Sequence, residues 1–305
     1  MSIFPTKILL ATDGSEEAIL AAHIAADLAN KTDSELHIVH ASPRITPHRP
    51  GYYVGPEVIE GAAERERKLL DHEAHTLLDA QVEQVRTAGG STAQTHLRIG
   101  RIDEEIIAAA EGLGVALIVV GSRGQGGMRR ALMGSVSDSV VRHAHCPVMV
   151  VRGEPSMFPM RILLATDGSE EANLASSTAA DLAEKTNSEL YIVTVGEDPY
   201  LATDYTLHFP EAAERHRQEL REEVQAMLDG QVERVQEAGG KVTQTHLKVG
   251  RADDEIVSLA KELSVSLIVM GSRGQGGIRR ALMGSVSDGV VRHAHCPVLV
   301  VRPEK

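Results

Sequence analysis

Apolar and polar positions alternate along this chain in blocks of two kinds. Residues 7–12 form a short apolar run that stops on Asp13-Gly14-Ser15, which predicts a buried strand entering a turn. After Ser15, alanines at 18, 22, 25, 26 and 29 fall on one side of a helix. A second strand is predicted at 36–41. A long amphipathic helix follows at 57–88, with Leu69, Leu70, Leu77, Leu78, Val82 and Val85 as its apolar stripe and Gly89-Gly90 as its stop. Strands at 95–99, 116–120 and 147–151 then alternate with helices at 101–111 and 135–144. Alternation of this kind implies parallel pairing through right-handed crossovers, hence a doubly wound α/β domain.

The same series occurs twice. Lys7 to Ala18 recurs as Arg161 to Ala172, and Ile118 to Arg152 recurs as Ile268 to Arg302 with four differences in 35 positions. Those differences are Val120/Met270, Met128/Ile278, Ser139/Gly289 and Met149/Leu299. The offset changes from 154 to 150 between the blocks, so the copies diverge in length at 42–61 and 196–211. The join, Gly153 to Pro159, has linker composition. Two domains are expected, at 1–153 and 154–305, each long enough for its own core.

Composition narrows the function classes. Of 305 residues, 31 are Lys or Arg and 43 Asp or Glu, a net charge of −12. An acidic chain repels a phosphate backbone unless its basic residues cluster, so nucleic acid is not an expected partner. No apolar run is long enough for a bilayer and the N-terminus lacks the layout of a secretory signal, so no membrane association and a cytoplasmic location are expected. Two cysteines are too few for a disulfide scaffold.

Doubly wound sheets bind ligands beyond the carboxyl ends of their strands. Two segments there carry suitable residues. One is Ala11-Thr12-Asp13-Gly14-Ser15, repeated as Ala165-Thr166-Asp167-Gly168-Ser169. The other is Gly121-Ser122-Arg123-Gly124, then nine residues, then Gly134-Ser135-Val136-Ser137, repeated at Gly271, Arg273, Gly274, Gly284, Ser285, Val286 and Ser287. Glycine lets backbone N–H groups approach a ligand, and a helix start at Gly134-Ser135 favours an anion. Ser135 and Ser137 add hydroxyl donors. A structural reading competes, in which Ser135 to Asp138 is a capping box and the glycines only turn the chain. The Walker and dinucleotide fingerprints are both absent.

The frame G-x2-G-x9-G-S, met in full in both copies, resembles the ATP-binding subclass of the universal stress protein family, as do ILLATDGSEEA and HAHCPVMVV. The resemblance implies two tandem five-stranded parallel sheets ordered 3-2-1-4-5, akin to the adenine nucleotide alpha hydrolases, with strand five of each copy paired antiparallel to its counterpart. It implies ATP, with Mg2+ bridging the phosphates, and a stress-response sensor or signalling protein rather than an efficient enzyme. A slow ATPase or phosphotransferase and a nucleotide-independent interaction module remain alternatives. It also implies association of two tandem chains. Carried over by residue, Asp13 and Asp167 contact the ribose, Ala41 and Val195 meet the adenine edge, and Val120 and Met270 line the pocket. The glycines with Ser135 and Ser285 hold the phosphates.

Other residues are ambiguous. Arg123 and Arg273 either pair with phosphate or are solvated loop charges, and Arg129-Arg130 and Arg279-Arg280 either add positive field or face water. His143, His145 and Cys146 tempt as metal ligands, but their spacing does not converge on a tetrahedron. The segment Glu64 to Lys68 reads as a solvated helix face. Tyr52, Tyr53, Tyr200, Tyr205 and Phe209 mark lids or oligomer contacts.

Overall fold

A computed structural model describes residues 4, 6–44, 56–91, 94–124, 133–153, 158–196, 210–274 and 283–303. Arg129, Arg130, Arg279, Arg280, Tyr52, Tyr53, Tyr200, Tyr205 and Phe209 lie outside the described residues. The first half runs β1 (Lys7–Ala11), α1 (Glu16–Thr32), β2 (Glu35–Ser42), α2 (Pro56–Thr87), β3 (Gln94–Ile99), α3 (Ile102–Leu113), β4 (Leu117–Gly121), α4 (Ser135–His143) and β5 (Val148–Val151). The second runs β6 (Arg161–Ala165), α5 (Glu170–Thr186), β7 (Glu189–Gly196), α6 (Pro210–Glu237), β8 (Val242–Val249), α7 (Ala252–Glu262), β9 (Leu267–Gly271), α8 (Ser285–His293) and β10 (Val298–Val301).

Each half has its strands in the order 3-2-1-4-5, all parallel, and the two sheets join as one of ten strands. The joint is β5 against β10, antiparallel, with Met149 opposite Leu299. Apart from the exposed Lys7 that opens β1, the strands β1, β4 and β5 are apolar because helices cover both faces; Ile8, Leu9 and Leu10 are wholly buried. Edge strand β3 instead reads polar and mostly accessible. Among the described helices none is long and apolar enough to cross a membrane.

One expectation needs correction. The stripe of α2 does not continue through Leu69, which is 58% exposed, while Ala74, Leu78 and Val85 are buried. A helix of 32 residues is about 48 Å long and an eight-residue strand about 26 Å, so α2 outruns the sheet beneath it.

Across the joint, α4 and α8 are bound by a closed ring of charge. Arg142 pairs with Asp138 at 2.9 Å on its own helix and also with Asp288; Arg292 pairs with Asp288 at 2.8 Å and with Asp138 at 2.7 Å.

Candidate functional site

In each half the site is assembled from the ends of the first and fourth strands. β1 lies between β2 and β4, with Ala11 level with Val39 on one side and Val120 on the other. The main chain turns out of β1 at Thr12, whose N–H still reaches the Val39 carbonyl at 3.0 Å. Thr12 Oγ1 accepts from the Gly14 N–H, and Asp13 Oδ1 from the Ser15 N–H at 3.0 Å. Gly14 holds a φ of 76°, in the left-handed region that glycine favours. Ser15 caps α1 by accepting from the Ala18 N–H, and its hydroxyl donates to the Arg123 carbonyl at 3.3 Å. That bond ties the loop after β1 to the loop after β4.

The three frame glycines have different reasons to be glycine. A Cβ at Gly121 would lie 3.0 Å from the Glu17 main-chain carbon, so here β4 runs hard against α1. One at Gly124 would lie 2.3 Å from Asp13 Oδ2, so this position faces the carboxylate directly. At Gly134 the nearest atom would be 3.5 Å away, ordinary contact. The protein itself does not demand glycine at 134.

Helix α4 begins at Ser135 with Gly134 as its N-cap and no side-chain cap. The capping-box reading therefore fails. Ser135 is exposed in the first helical position, and Asp138 is engaged with Arg142 and Arg292. The first turn is left without a side-chain acceptor, the condition in which helix amides attract an anion. Ser137 is different: it is buried and its hydroxyl donates to the Gly121 carbonyl at 2.7 Å, fastening α4 to the end of β4. Val136 packs partly against the core.

Arg123 has a partner that neither sequence reading included, an ion pair with Glu17 of α1 at 3.0 Å. Ala41 and Val120 are buried at the strand ends.

The second half repeats this geometry. Asp167 Oδ1 accepts from the Ser169 N–H, and the Ser169 hydroxyl donates to the Arg273 carbonyl. Arg273 pairs with Glu171 at 2.8 Å, and Ser287 with the Gly271 carbonyl at 2.8 Å. A Cβ at Gly274 would lie 2.3 Å from Asp167 Oδ2. Thr166 and Met270 are buried, Ala165 is level with Met270, and Val195 packs at the core margin. Gly284 caps α8, which starts at Ser285, and Val286 packs as Val136 does.

Sequence reasoning took in Ser15 only as the last residue of the segment after the first strand, and it missed Glu17 and His40. His40 lies at the end of β2, where Nδ1 donates to the Thr12 carbonyl at 2.9 Å and Nε2 meets Ser42 Oγ. A histidine and a serine two apart at a strand end were its available signal. The residues read as a possible metal set point elsewhere. His143 Nδ1 donates to the Ser139 carbonyl, His145 lies 2.8 Å from Glu111, and Cys146 is buried. Among the described residues no group of three or more such side chains could hold a metal ion. Burial pushes the Cys296 thiol up to about 12, so it stays protonated.

The universal stress protein family profile matches residues 5–152 and 159–302. A universal stress protein of Mycolicibacterium smegmatis is 30% identical over 306 residues, covering 97% of each chain. One from Mycobacterium tuberculosis is also 30% identical, covering 97% of this chain and 96% of its own. The crystal structure of a universal stress protein from Archaeoglobus fulgidus has the same fold, with a TM-score of 0.65 at 24% identity, over 100% of this chain and 98% of that one.

Proposed function

This chain belongs to the universal stress protein family, in tandem, and from that premise we propose that it binds ATP at two sites and serves the stress response as an ATP-dependent sensor. One observation carries the reading. In both halves the strand ends bring a carboxylate, a bare glycine and an uncapped helix start to one place, and at Gly134 the room for a side chain is left unused.

The chemistry of the parts fits a nucleoside triphosphate. Asp13 and Asp167 are positioned by the Ser15 and Ser169 N–H groups and offer a carboxylate oxygen to ribose hydroxyls. Ala41, Val120, Val195 and Met270 supply the apolar floor on which adenine lies. Gly124, Gly134 and Ser135, with their counterparts Gly274, Gly284 and Ser285, present N–H and hydroxyl donors to the phosphates. Mg2+ bound with the nucleotide would offset the negative charge of the phosphates that these glycines and serines would hold. Arg123 and Arg273 contribute positive charge held in place by Glu17 and Glu171. Efficient turnover asks for a group that positions the attacking water, whereas Asp13 is committed to its turn and the ribose. A binding role follows, in a cytoplasmic protein whose tandem chains pair into dimers.

Extraction of the purified protein with acid, followed by chromatography of the released nucleotide, is the direct test. About two ATP per chain is the expected result; the absence of both carried nucleotide and ATP uptake on titration would overturn the proposal. Sedimentation as a clean monomer would remove the dimer.

A further inference from the structure

Each half ends its last strand with an arginine that serves the other half. Arg302 follows β10, yet its guanidinium donates to carbonyls of α4: to Ala144 at 2.6 Å, to Arg142 at 3.4 Å and to Val141. Arg152 follows β5 and donates to the carbonyls of Arg292 at 2.7 Å and Ala294 at 3.1 Å, at the end of α8. The antiparallel joint explains this exchange, since it lays the end of one terminal strand beside the start of the other.

These are the helices whose N-termini carry Gly134-Ser135 and Gly284-Ser285. A nine-residue helix has few internal bonds, so its placement rests on what holds its two ends. The N-terminal end is fastened by Ser137 within its own half. The C-terminal end is fastened by a cation from the opposite half, where the helix dipole favours positive charge.

We propose that Arg302 is a positioning residue for the nucleotide site of the first half and Arg152 for that of the second, so that neither site is complete without the other half. The inference rests on the ATP reading above and concerns which half controls each site. Arg302 also stands next to the loop of its own half, because the Ser272 N–H donates to the Val301 carbonyl at 2.8 Å. A direct action on that nearer site is the natural competitor. The donors decide against it, being directed to α4. Burial pushes the Arg152 guanidinium down to about 10, with Arg123 adding to the effect, and Arg302 is also lowered by burial. At neutral pH Arg152 remains charged, and it is only 9% exposed.

The test separates near from far. Full-length chains carrying Gly274→Asp retain only the first site, and chains carrying Gly124→Asp only the second, each read by ATP titration calorimetry. Adding Arg302→Gln should weaken the first site about tenfold and leave the second within about twofold. Arg152→Gln should do the reverse, and Arg302→Lys, which keeps the charge, should recover part of the loss. Loss at the arginine's own half, equal loss at both sites, or no loss would overturn the inference. Hydrogen exchange gives a readout independent of nucleotide: Arg302→Gln should speed exchange in the last turn of α4 and spare α8, and the opposite order would overturn it. A parent chain that takes up no ATP would defeat the nucleotide reading, while exchange would still decide whether the arginines act across the joint.

Discussion

The two halves agree where the loops converge and differ behind them. Around the frame glycines, matched bonds recur within a few tenths of an ångström: Ser15 and Ser169 to the arginine carbonyls, Ser137 and Ser287 to the glycine carbonyls. Where the long helix packs on the first helix, they part. In the second half Gln231 accepts from Ser176 at 2.7 Å and donates to Asn173 at 3.0 Å, a buried polar chain. In the first half the equivalents of Ser176 and Asn173 are Ala22 and Ile19, and the buried Gln81 Oε1 has no partner among the described residues. The difference teaches that the repeat has been held to one geometry where the loops after the first and fourth strands converge, while the helix layer behind was free to be satisfied in one copy and not the other.

The largest expected effect breaks the agreement. Gly124→Asp sets a second carboxylate against Asp13 and the phosphates, and ATP should bind the first site about a hundredfold more weakly or not at all. Gly134→Ala sharpens the point, because its Cβ has ordinary room in the protein. It should lower affinity about tenfold at one site, with little change in melting temperature. An unaltered titration with two full sites would show that the bare backbone at 134 serves no ligand.

Next comes the difference in the helix layer. Gln231→Leu should cost about 1 kcal/mol, because Asn173 loses its donor while the Ser176 hydroxyl keeps only the Ala172 carbonyl. Gln81→Leu should instead stabilise by about 1 kcal/mol, because it removes an acceptor that has none. Urea titrations of the two variants should move in opposite directions. Movement in the same direction would mean that the two glutamines sit in equivalent surroundings after all.

Much of this was legible in the chain. Apolar runs of four to six residues gave the strands to within about two residues, and the repeated glycine frame marked the loops that the Ser15 and Ser169 hydroxyls tie to the ends of the first strands. Less legible was anything that depends on which elements meet. Arg123 reads as a loop charge until α1 is known to bring Glu17 within 3.0 Å. Ser135 fits a capping box by spacing alone; only the helix start at Ser135 itself reveals that Gly134 holds the cap position. The stripe through Leu69 follows helical period faithfully, but period does not tell where the sheet ends. The reach of Arg302 across the joint requires the antiparallel pairing of two strands 150 residues apart.

A subtler contrast lies between α3 and α4. Arg101 and then Ser139 hydrogen-bond to Asp103 and hold its carboxyl down to about 2. In the second half Gly289 replaces that serine, and Asp253 is lowered chiefly by Arg251. A depressed carboxylate contributes stability that is full above its unfolded value near 4 and is lost as pH falls toward about 2. In an NMR titration Asp103 should therefore titrate below Asp253, and Ser139→Gly should bring the two together. If Asp103 keeps its value in that variant, Arg101 alone sets it.

The smallest effect concerns the end of the second strand. In the first half His40 occupies the position and its ring bridges the Thr12 carbonyl to Ser42. In the second half the position is Thr194, 2% exposed, with its hydroxyl unpartnered among the described residues, and Gly196 stands in place of Ser42. Gly196 lies under α6, where a Cβ would come within 3.0 Å of Val224. The long helix therefore packs tightly over the end of β7 at Gly196, where a side chain would have to push Val224 and Leu220 aside. A buried hydroxyl without a partner is a net cost, so Thr194→Val, nearly the same shape, should raise stability by up to about 1 kcal/mol. His40→Val should lower it, because the Thr12 carbonyl loses its donor from β2. Denaturant midpoints read both. A loss of stability in Thr194→Val would mean that its hydroxyl has a partner in solution, and the end of the second strand would then be polar and satisfied in both halves.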